Sequence, residues 1–456
     1  MDWLYFDFSS GSSHSADGNS LSCDWGLCCH AGICTYGGKG IAGSRLTGYL
    51  EKNMSNIRDY LKEREKRQQT EKTTGYREKI RGHKLAIFYR AALGVILVAA
   101  VLFFFIFQWK NKVFTESVIT GSTPVTIVQG ASVRALGTRV LLYSKDGVSS
   151  LDEKGNVLWN QTFEMQNPMT TICGNVAAIG DYNGRTIYVV SGDKQLGTVN
   201  TNLPIRKICV SENGVVAAVL DDSDVTRILL YNGNENTDTS IVDIKATMDK
   251  SGYPLSISLS PNGKLLAISY LHVDSGEMKS TVAFFNFGEV GKNESDNYVS
   301  GFDYVDTVVP YVQFMSNSNA FAVSDDRIVF FSGSEKPNTT AVALLDEEVQ
   351  GIYYNESYVG LVYRDQSGEA AYRLDVYNTG GDKIHSLLID MDYSDIVFSK
   401  DQIIIYNDMD CRICNISGVD RFTGTFEKPV SLLIPTSSAY KYTAVTSGSV
   451  DTMELK

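Results

Sequence analysis

The pattern of apolar and polar residues divides the chain into two parts. Residues 91–109, AALGVILVAAVLFFFIFQW, form an apolar run without a charged side chain. About 20 such residues span the hydrocarbon core of a bilayer, so the run predicts one transmembrane helix. A core helix rarely runs this long without a polar face, and a signal peptide would lie nearer the N-terminus. After residue 113, short apolar runs alternate with turn residues and no helical period is sustained.

A hairpin pattern recurs along this second part. Residues 256–270, SISLSPNGKLLAISY, place two β-rich runs around a turn in which Pro261 fixes φ and Asn262-Gly263 tolerate positive φ. Run–turn–run patterns of this kind occur eight times, at 133–144, 170–181, 207–222, 256–270, 311–326, 351–365, 395–408 and 431–445. Their spacing is close to the period of about 40 to 50 residues that is typical of propeller blades.

Each hairpin is followed by two further strand-like runs, which predicts a repeated four-stranded meander. Radially stacked sheets of this kind form a β-propeller, whereas a β-sandwich would need only about seven to nine strands. We therefore predict an all-β fold, a propeller with eight blades favoured and seven possible, after a single N-terminal transmembrane helix. The eighth copy has room for three strands, so residues 117–130 are expected to supply its missing outer strand. The seven-bladed alternative leaves a C-terminal tail.

Two stretches resemble known propeller families. SSLDEKGNVLWNQTF (149–163) resembles a repeat of the quinoprotein-like (PQQ-like) propellers, and SLSPNGKLLAISY (258–270) resembles the hairpin of WD40-like and TolB-like propellers, with Asn262 in place of Asp. The order of basic tail, one span and propeller also resembles an uncharacterised bacterial family of unknown function. That resemblance implies a propeller over 113–456 and supplies no functional residues. A quinoprotein cofactor would imply adjacent cysteines and a ring of tryptophans, but Trp159 is the propeller's only tryptophan. No cofactor is predicted.

The charge distribution predicts how the chain is oriented. The whole chain has a net charge of −12, yet residues 1–112 contain 16 Lys and Arg against 10 Asp and Glu. Eleven basic residues lie between residues 54 and 90, so the positive-inside rule places the N-terminus in the cytoplasm and the propeller outside the membrane. The predicted partners are the lipid bilayer and an unknown envelope protein or ligand. Nucleic acid is not expected, because the propeller is acidic.

The predicted domains are listed in chain order: a low-structure, cysteine-containing tail at 1–53, a charged cytoplasmic helix at 54–88, the transmembrane helix at 89–110, a linker and possible closing strand at 111–130, and the propeller at 131–456. The tail contains CDWGLCCHAGIC (23–34), whose Cys and His residues have three interpretations. It is an upstream extension before a true start at Met54, a disordered tail, or a zinc site.

Few residues of the propeller suggest chemistry. His272 and His385 are interpreted as isolated histidines, although two imidazoles could meet across the ring. The acidic groups Asp221, Asp222, Asp224 and Asp325, Asp326 are turn formers or, alternatively, calcium ligands. Among the four cysteines, Cys173 and Cys209 are expected to be buried on neighbouring inner strands. Cys411 and Cys414 form a CxxC pattern on a strand, where residues i and i+3 face opposite sides, so a disulfide would need a bulge or a turn.

These patterns predict a non-catalytic binding or scaffolding module at the cell envelope. No catalytic, cofactor-binding or metal-binding residue is predicted. The alternatives are an envelope sensor that relays ligand binding through the cytoplasmic tail and a propeller enzyme. A sensor would need a folded effector in the tail, and an enzyme would need convergent titratable groups at the mouth of the channel.

Overall fold

The computed structural model describes residues 46–456 except residues 111, 224, 248–250 and 275. Helix α1 spans Leu46–Lys110 without interruption. Within it, Ile80–Phe105 is long and apolar enough to cross a membrane, with a mean hydropathy of 2.4 and no residue buried by the protein. The predicted boundary at residue 53 differs from the structure, because residues 46–53 are helical and continue into the charged stretch. The cysteine-rich segment at 23–34 lies outside the described residues.

The rest of the chain forms eight four-stranded antiparallel sheets in chain order. Blades 1 and 2 consist of β2 (Ser132–Leu136), β3 (Arg139–Tyr143), β4 (Gly147–Leu151), β5 (Val157–Thr162), β6 (Pro168–Cys173), β7 (Val176–Asp181), β8 (Thr186–Ser191) and β9 (Gln195–Asn200). Blades 3 and 4 consist of β10 (Ile205–Val210), β11 (Val215–Asp222), β12 (Val225–Asn232), β13 (Val242–Ala246), β14 (Tyr253–Leu259), β15 (Leu265–Asp274), β16 (Glu277–Asn286) and β17 (Tyr298–Val305). Two short 3-10 helices, Gly291–Asn293 and Ser295–Asn297, precede β17.

The second half of the ring repeats the same arrangement. Blades 5 and 6 consist of β18 (Tyr311–Phe314), β19 (Asn319–Val323), β20 (Arg327–Ser332), β21 (Asn338–Leu344), β22 (Gly351–Tyr354), β23 (Tyr358–Arg364), β24 (Tyr372–Asn378) and β25 (Lys383–Ile389). Blades 7 and 8 consist of β26 (Asp395–Ser399), β27 (Gln402–Tyr406), β28 (Asp410–Asn415), β29 (Asp420–Thr425), β30 (Val430–Pro435), β31 (Lys441–Thr446), β32 (Ser449–Leu455) and β1 (Ser117–Pro124). The eight-bladed prediction is confirmed, and the seven-bladed alternative is wrong.

The first strand closes the ring. β1 pairs antiparallel with β32 from Ser117 opposite Leu455 to Pro124 opposite Ser449, so the last blade takes its outer strand from the start of the propeller. Just before β1, the buried Phe114 packs between blades 7 and 8, and its N–H donates to the carbonyl of Arg421 at 2.7 Å. The last blade thereby has four strands like the other seven, and the two ends of the propeller are joined in one sheet.

The recurring turn closes each hairpin and also links neighbouring blades. In blade 4, Ser260 Oγ donates to Asn262 Oδ1 at 2.9 Å, and Gly263 adopts a φ of 66°, which favours glycine. Asn213 Nδ2, in the turn of blade 3, donates to the Asn262 carbonyl at 2.8 Å. The Asn262 N–H donates to Asn317 Oδ1, in the turn of blade 5, at 2.8 Å. Serine, asparagine and glycine therefore recur because the same turn closes its own hairpin and bonds to the turns of neighbouring blades.

An apolar cluster fills each gap between neighbouring blades. The faces of two adjacent sheets supply each cluster, and every second residue of a strand points into it. In the gap between blades 3 and 4, for example, Val219 and Ile228 pack with Leu266 and Ile268. Full burial of such side chains stabilises the fold by about 1.5–3 kcal/mol each. A gap between two blades that apolar side chains do not fill therefore needs an explanation.

Candidate functional site

An open cavity of about 1000 Å³ lies between the outer parts of blades 3 and 4. One wall is β13, and the other is the face that β15, β16 and β17 turn towards blade 3. β15 and β16 have 10 residues each and are the longest strands of the propeller. The blade 4 side chains that line the cavity are Tyr270, His272, Lys279, Thr281, Ala283, Phe285, Tyr298 and Asp303.

The strand register brings these side chains together. Tyr270 on β15 lies opposite Thr281 on β16, which in turn lies opposite Asp303 on β17. Two residues further along β15, His272 lies opposite Lys279 on β16. Because side chains alternate across a sheet, all five are on the same face of blade 4.

A polar cluster forms around the Asp303 carboxylate. Lys279 Nζ lies 2.6 Å from Asp303 Oδ2, and Thr281 Oγ1 donates to Asp303 Oδ1 at 2.7 Å. Burial alone would raise the pKa of Asp303, but the hydrogen bonds from Lys279 and Thr281 and the charge of Lys279 hold the pKa below its usual value. Asp303 is therefore an ionised acceptor at neutral pH, with about half of its side chain exposed.

His272 contributes a polar atom without a partner. Its Nδ1 is buried, and no hydrogen-bond partner is found for it among the described residues. Buried polar atoms are nearly always hydrogen-bonded, since an unsatisfied one costs about 1–3 kcal/mol. The site therefore has hydrogen-bonding capacity that the protein itself does not use.

An aromatic side chain forms the outer edge of the cavity. Tyr298 is 45% exposed, and its ring meets Phe285 edge-on with centroids 5.7 Å apart. Asp296 and Asn297, directly before it, adopt φ values of 55° and 61°, a conformation that Asp and Asn tolerate. The ring lies across β17 over Gly301, where an added Cβ would be 2.0 Å from Tyr298 Oη. Glycine at this position is what allows the hydroxyl end of the ring to approach the strand.

Most charged groups of the cavity are paired within the protein. On the blade 3 wall, Asp243 Oδ2 accepts a hydrogen bond from Arg227 at 2.9 Å, so that carboxylate is neutralised outside the cavity. Asp303 is paired with Lys279, and Lys245 and Asp296 are the other charged residues of the lining. The lining thus holds three aspartates and two lysines, and two of the three carboxylates are ion-paired.

A related gap lies between blades 5 and 6, but it measures only about 380 Å³. Arg373 lies 2.7 Å from Glu347 Oε1 and 3.3 Å from Asp375 Oδ1. Lys383 Nζ lies 3.2 Å from Asp375 Oδ2, and Ser386 also donates to Asp375. Asp375 is only 3% exposed. Here Arg373, Lys383 and Ser386 pair with the carboxylates and occupy much of the space, although Glu347 Oε2 is buried without a partner among the described residues.

The two histidines singled out in the sequence are not brought together. His272 lines the cavity of blade 4, whereas His385 is on β25 of blade 6 and lies against the turn at Gly418. The suggestion that two imidazoles meet across the ring is therefore wrong. His272 nevertheless lines the cavity between blades 3 and 4, which the sequence did not indicate.

The acidic groups proposed as calcium ligands pair with arginines instead. Asp221 binds Arg206, Asp222 accepts from Arg227 at 2.8 Å, and Asp326 accepts from its neighbour Arg327. Asp224 lies outside the described residues. Within the part of the chain that the structure describes, no three His, Cys, Asp or Glu side chains are placed to hold a metal ion.

The cysteines of the propeller are free thiols. Cys173 is partly buried on β6, and Cys209 is buried on the neighbouring inner strand β10. Cys411 and Cys414 face opposite sides of β28, towards the clusters of blades 7–8 and 6–7, so the structural disulfide considered for them is not formed. Burial raises the pKa of Cys411 and of Cys414 to about 12 and that of Cys173 to about 11. The thiols are therefore protonated at neutral pH and are poor nucleophiles.

Comparison with known proteins identifies a family. The sequence profile described as "Family of unknown function (DUF5711)" matches residues 110–455. A search of curated proteins finds no match. Similar solved structures include BamB from Moraxella catarrhalis, which is 14% identical with a TM-score of 0.44 and covers 74% of this chain and 100% of that chain. AztD from Citrobacter koseri is 9% identical with a TM-score of 0.44, covering 66% and 87%. At these scores the likenesses carry no argument about function.

Proposed function

The chain belongs to the DUF5711 family, and we propose that it is a non-catalytic binding module, tethered to the cell membrane by α1 with its propeller on the extracytoplasmic side. The observation that carries the proposal is the cavity between blades 3 and 4. It is large enough for a ligand, since ligand pockets measure about 300–1,000 Å³. It also holds a buried polar atom, His272 Nδ1, without a partner among the described residues.

Tethering is supported by the apolar stretch Ile80–Phe105 and by the basic residues that precede it. The positive-inside rule then assigns the propeller to the outside. Protease added to intact spheroplasts is expected to degrade the propeller and spare the basic tail. Protection of the propeller in intact cells, with degradation after lysis, would contradict the orientation.

A non-catalytic role is supported by the state of the reactive groups. The thiols are protonated at neutral pH, and the acidic pairs near the hairpin ends bind arginines. The polar groups of the cavity are suited to hydrogen bonding, and Asp303 is held ionised rather than near neutrality, where an acid–base catalyst would titrate.

The binding role can be tested by filling the cavity. Thr281→Arg introduces a long cation beside Asp303, and Val342→Arg makes the same charge change on the exposed outer strand of blade 5, where Val342 is 50% exposed. Cross-linking in native membranes, followed by mass spectrometry, is expected to recover a protein or small molecule with the wild type and with Val342→Arg but not with Thr281→Arg. Equal recovery from all three proteins would contradict a binding role for this cavity.

A further inference from the structure

We infer that the cavity between blades 3 and 4 binds an uncharged saccharide, with one sugar ring packed on Tyr298 and its hydroxyl groups hydrogen-bonded by Asp303, Thr281 and His272. The inference rests on the proposed function, because it names the ligand class of the same cavity. Three independent properties of the lining lead to it: the pairing of its charges, the mixture of donors and acceptors, and the exposed aromatic ring.

The pairing of the charges argues against an ionic ligand. Asp303 is paired with Lys279, and Asp243 is paired with Arg227, so neither carboxylate is available as the sole counter-ion of a cation. An anion such as a phosphate would meet three aspartates in the lining together with two lysines. Desolvating a ligand charge without a dedicated partner is costly, so a neutral ligand fits this cavity better.

The mixture of donors and acceptors argues against an apolar ligand. Lys279 has further N–H groups and the hydroxyl of Tyr270 can donate, whereas Asp303 and the Thr281 oxygen, whose own hydrogen goes to Asp303, accept; His272 Nδ1 has no partner among the described residues. An apolar ligand would leave these groups buried and unpaired. A sugar hydroxyl donates one hydrogen bond and accepts others, so several hydroxyls on one ring can satisfy this arrangement.

The exposed ring supplies the remaining contact. The face of an aromatic ring is electron-rich, and the C–H groups on one face of a pyranose carry partial positive charge, so the two surfaces attract each other. The hydroxyl end of Tyr298 lies over Gly301 and the residue is 45% exposed, while its edge-on contact with Phe285 fixes the orientation of the ring. Burial and the nearby Asp303 charge raise the pKa of Tyr298, so its hydroxyl remains a donor. A cavity of about 1000 Å³ has room for more than one sugar ring.

The test uses the full-length protein in lipid nanodiscs and isothermal titration calorimetry. The neutral probes are cellobiose, maltose and N,N′-diacetylchitobiose, and the charged probes are glucose 6-phosphate and spermidine. At least one neutral disaccharide is expected to bind at concentrations up to about 10 mM, with both charged probes inactive. Tyr298→Ala is expected to weaken binding about tenfold or more, whereas Tyr298→Phe, which keeps the ring, should change it less than about threefold.

A second readout reports on the cavity directly. Among the five histidines of the chain, only His272 and His385 belong to the propeller, and Asn variants of each assign their imidazole NMR signals. The bound disaccharide is expected to shift the His272 signals and leave those of His385 unchanged. Thr281→Arg should abolish both the heat of binding and the shift, and Val342→Arg should preserve them.

Several results would overturn the inference. The first is that no neutral disaccharide binds. The second is that Tyr298→Ala leaves disaccharide binding unchanged. The third is that a charged probe binds more tightly than the neutral disaccharides. If no saccharide binds but Thr281→Arg still removes a cross-linked partner, the proposed function stands and only the ligand class is wrong. If Thr281→Arg removes neither a partner nor a saccharide, both fail.

Discussion

The gaps before blade 4 and before blade 6 are built on the same backbone and differ in their side chains. In both blades the register between the third and fourth strands shifts at the same point, between Phe284 and Phe285 and between Val376 and Tyr377. Strand pairing then places residues of the two blades in equivalent positions. The pairs are Tyr270 and Tyr363, Thr281 and Arg373, Ala283 and Asp375, Phe285 and Tyr377, Gly301 and Ser386, and Tyr298 and Lys383.

The comparison shows how the propeller makes a cavity without altering its strands. The positions of Tyr270 and Phe285 are aromatic in both blades. The residues that fill the gap before blade 6 are Arg373, Asp375 and Ser386. Their equivalents in blade 4 are smaller, namely Thr281, Ala283 and Gly301. The space that Arg373 and Asp375 would occupy is thus left open, and the polar groups of blade 4 are available to a ligand. We expect the network before blade 6 to contribute stability and the cluster before blade 4 to contribute binding.

The largest expected difference concerns the two aspartates. Asp375→Ala removes the shared acceptor of Arg373 and Lys383 from a site that is 3% exposed, which is expected to destabilise the propeller by about 3 kcal/mol. Asp303→Ala removes a half-exposed partner and is expected to cost less than about 1 kcal/mol. Chemical unfolding of the full-length protein in detergent, followed by Trp159 fluorescence, measures both. Equal losses would show that the two gaps are not specialised in this way.

The next effect concerns the support of the aromatic ring. Gly301→Ala places a Cβ 2.0 Å from Tyr298 Oη in a backbone conformation that alanine accepts, so the ring must move while the strand stays intact. We expect disaccharide affinity to fall about tenfold, equivalent to about 1.4 kcal/mol, with little change in the unfolding midpoint. Gly121→Ala is the matched control on β1, because its Cβ would meet nothing closer than 3.7 Å. A similar loss of affinity in both variants would argue against a specific role for Tyr298.

A smaller effect is expected from His272. Because Nδ1 is buried without a partner among the described residues, His272→Phe removes an unsatisfied group and keeps a ring of similar size. The ligand-free protein is expected to become more stable, by up to about 1 kcal/mol, while losing affinity for the disaccharide. His272→Asn, which retains a polar group, should not give the same gain. A loss of stability in His272→Phe would mean that the imidazole is satisfied within the protein.

The sequence predicted the propeller well because its signals are local. A Ser-x-Asn-Gly turn between two apolar runs, as at 211–214 and 260–263, specifies a hairpin by itself, and eight run–turn–run patterns at blade-like spacing leave few other folds. The opposite orientations of Cys411 and Cys414 likewise follow from strand geometry alone. The cavity could not be predicted, because it depends on the absence of bulk at Thr281, Ala283 and Gly301. These residues are ordinary in sequence and become neighbours only through pairing across a segment with two 3-10 helices.

The smallest expected effect is the pH dependence contributed by Asp303. Its pKa is lowered in the folded protein, because the hydrogen bonds and charge of Lys279 and Thr281 outweigh burial. A carboxyl group with a lowered folded pKa adds stability above its unfolded value of about 3.9, and that stability is lost as the pH falls through the folded value. The difference in stability between the wild type and Asp303→Asn should therefore be constant from about pH 5 to pH 8, begin to fall near pH 4 and vanish only when the pH is below the lowered folded pKa. Because the side chain is half exposed, the difference should stay below about 1 kcal/mol.

Asp326→Asn provides the matched control for this measurement. The hydrogen bond from Arg327 lowers the pKa of Asp326 as well, so its contribution to stability should have the same sign and the same pH window. Asp326 lies in blade 5 and does not line the cavity between blades 3 and 4. The two variants should thus give similar pH profiles in unfolding experiments, while only Asp303→Asn weakens disaccharide binding at neutral pH. If Asp326→Asn weakens binding equally, the loss reflects general destabilisation, and Asp303 is then no more important to the cavity than any other paired surface carboxylate.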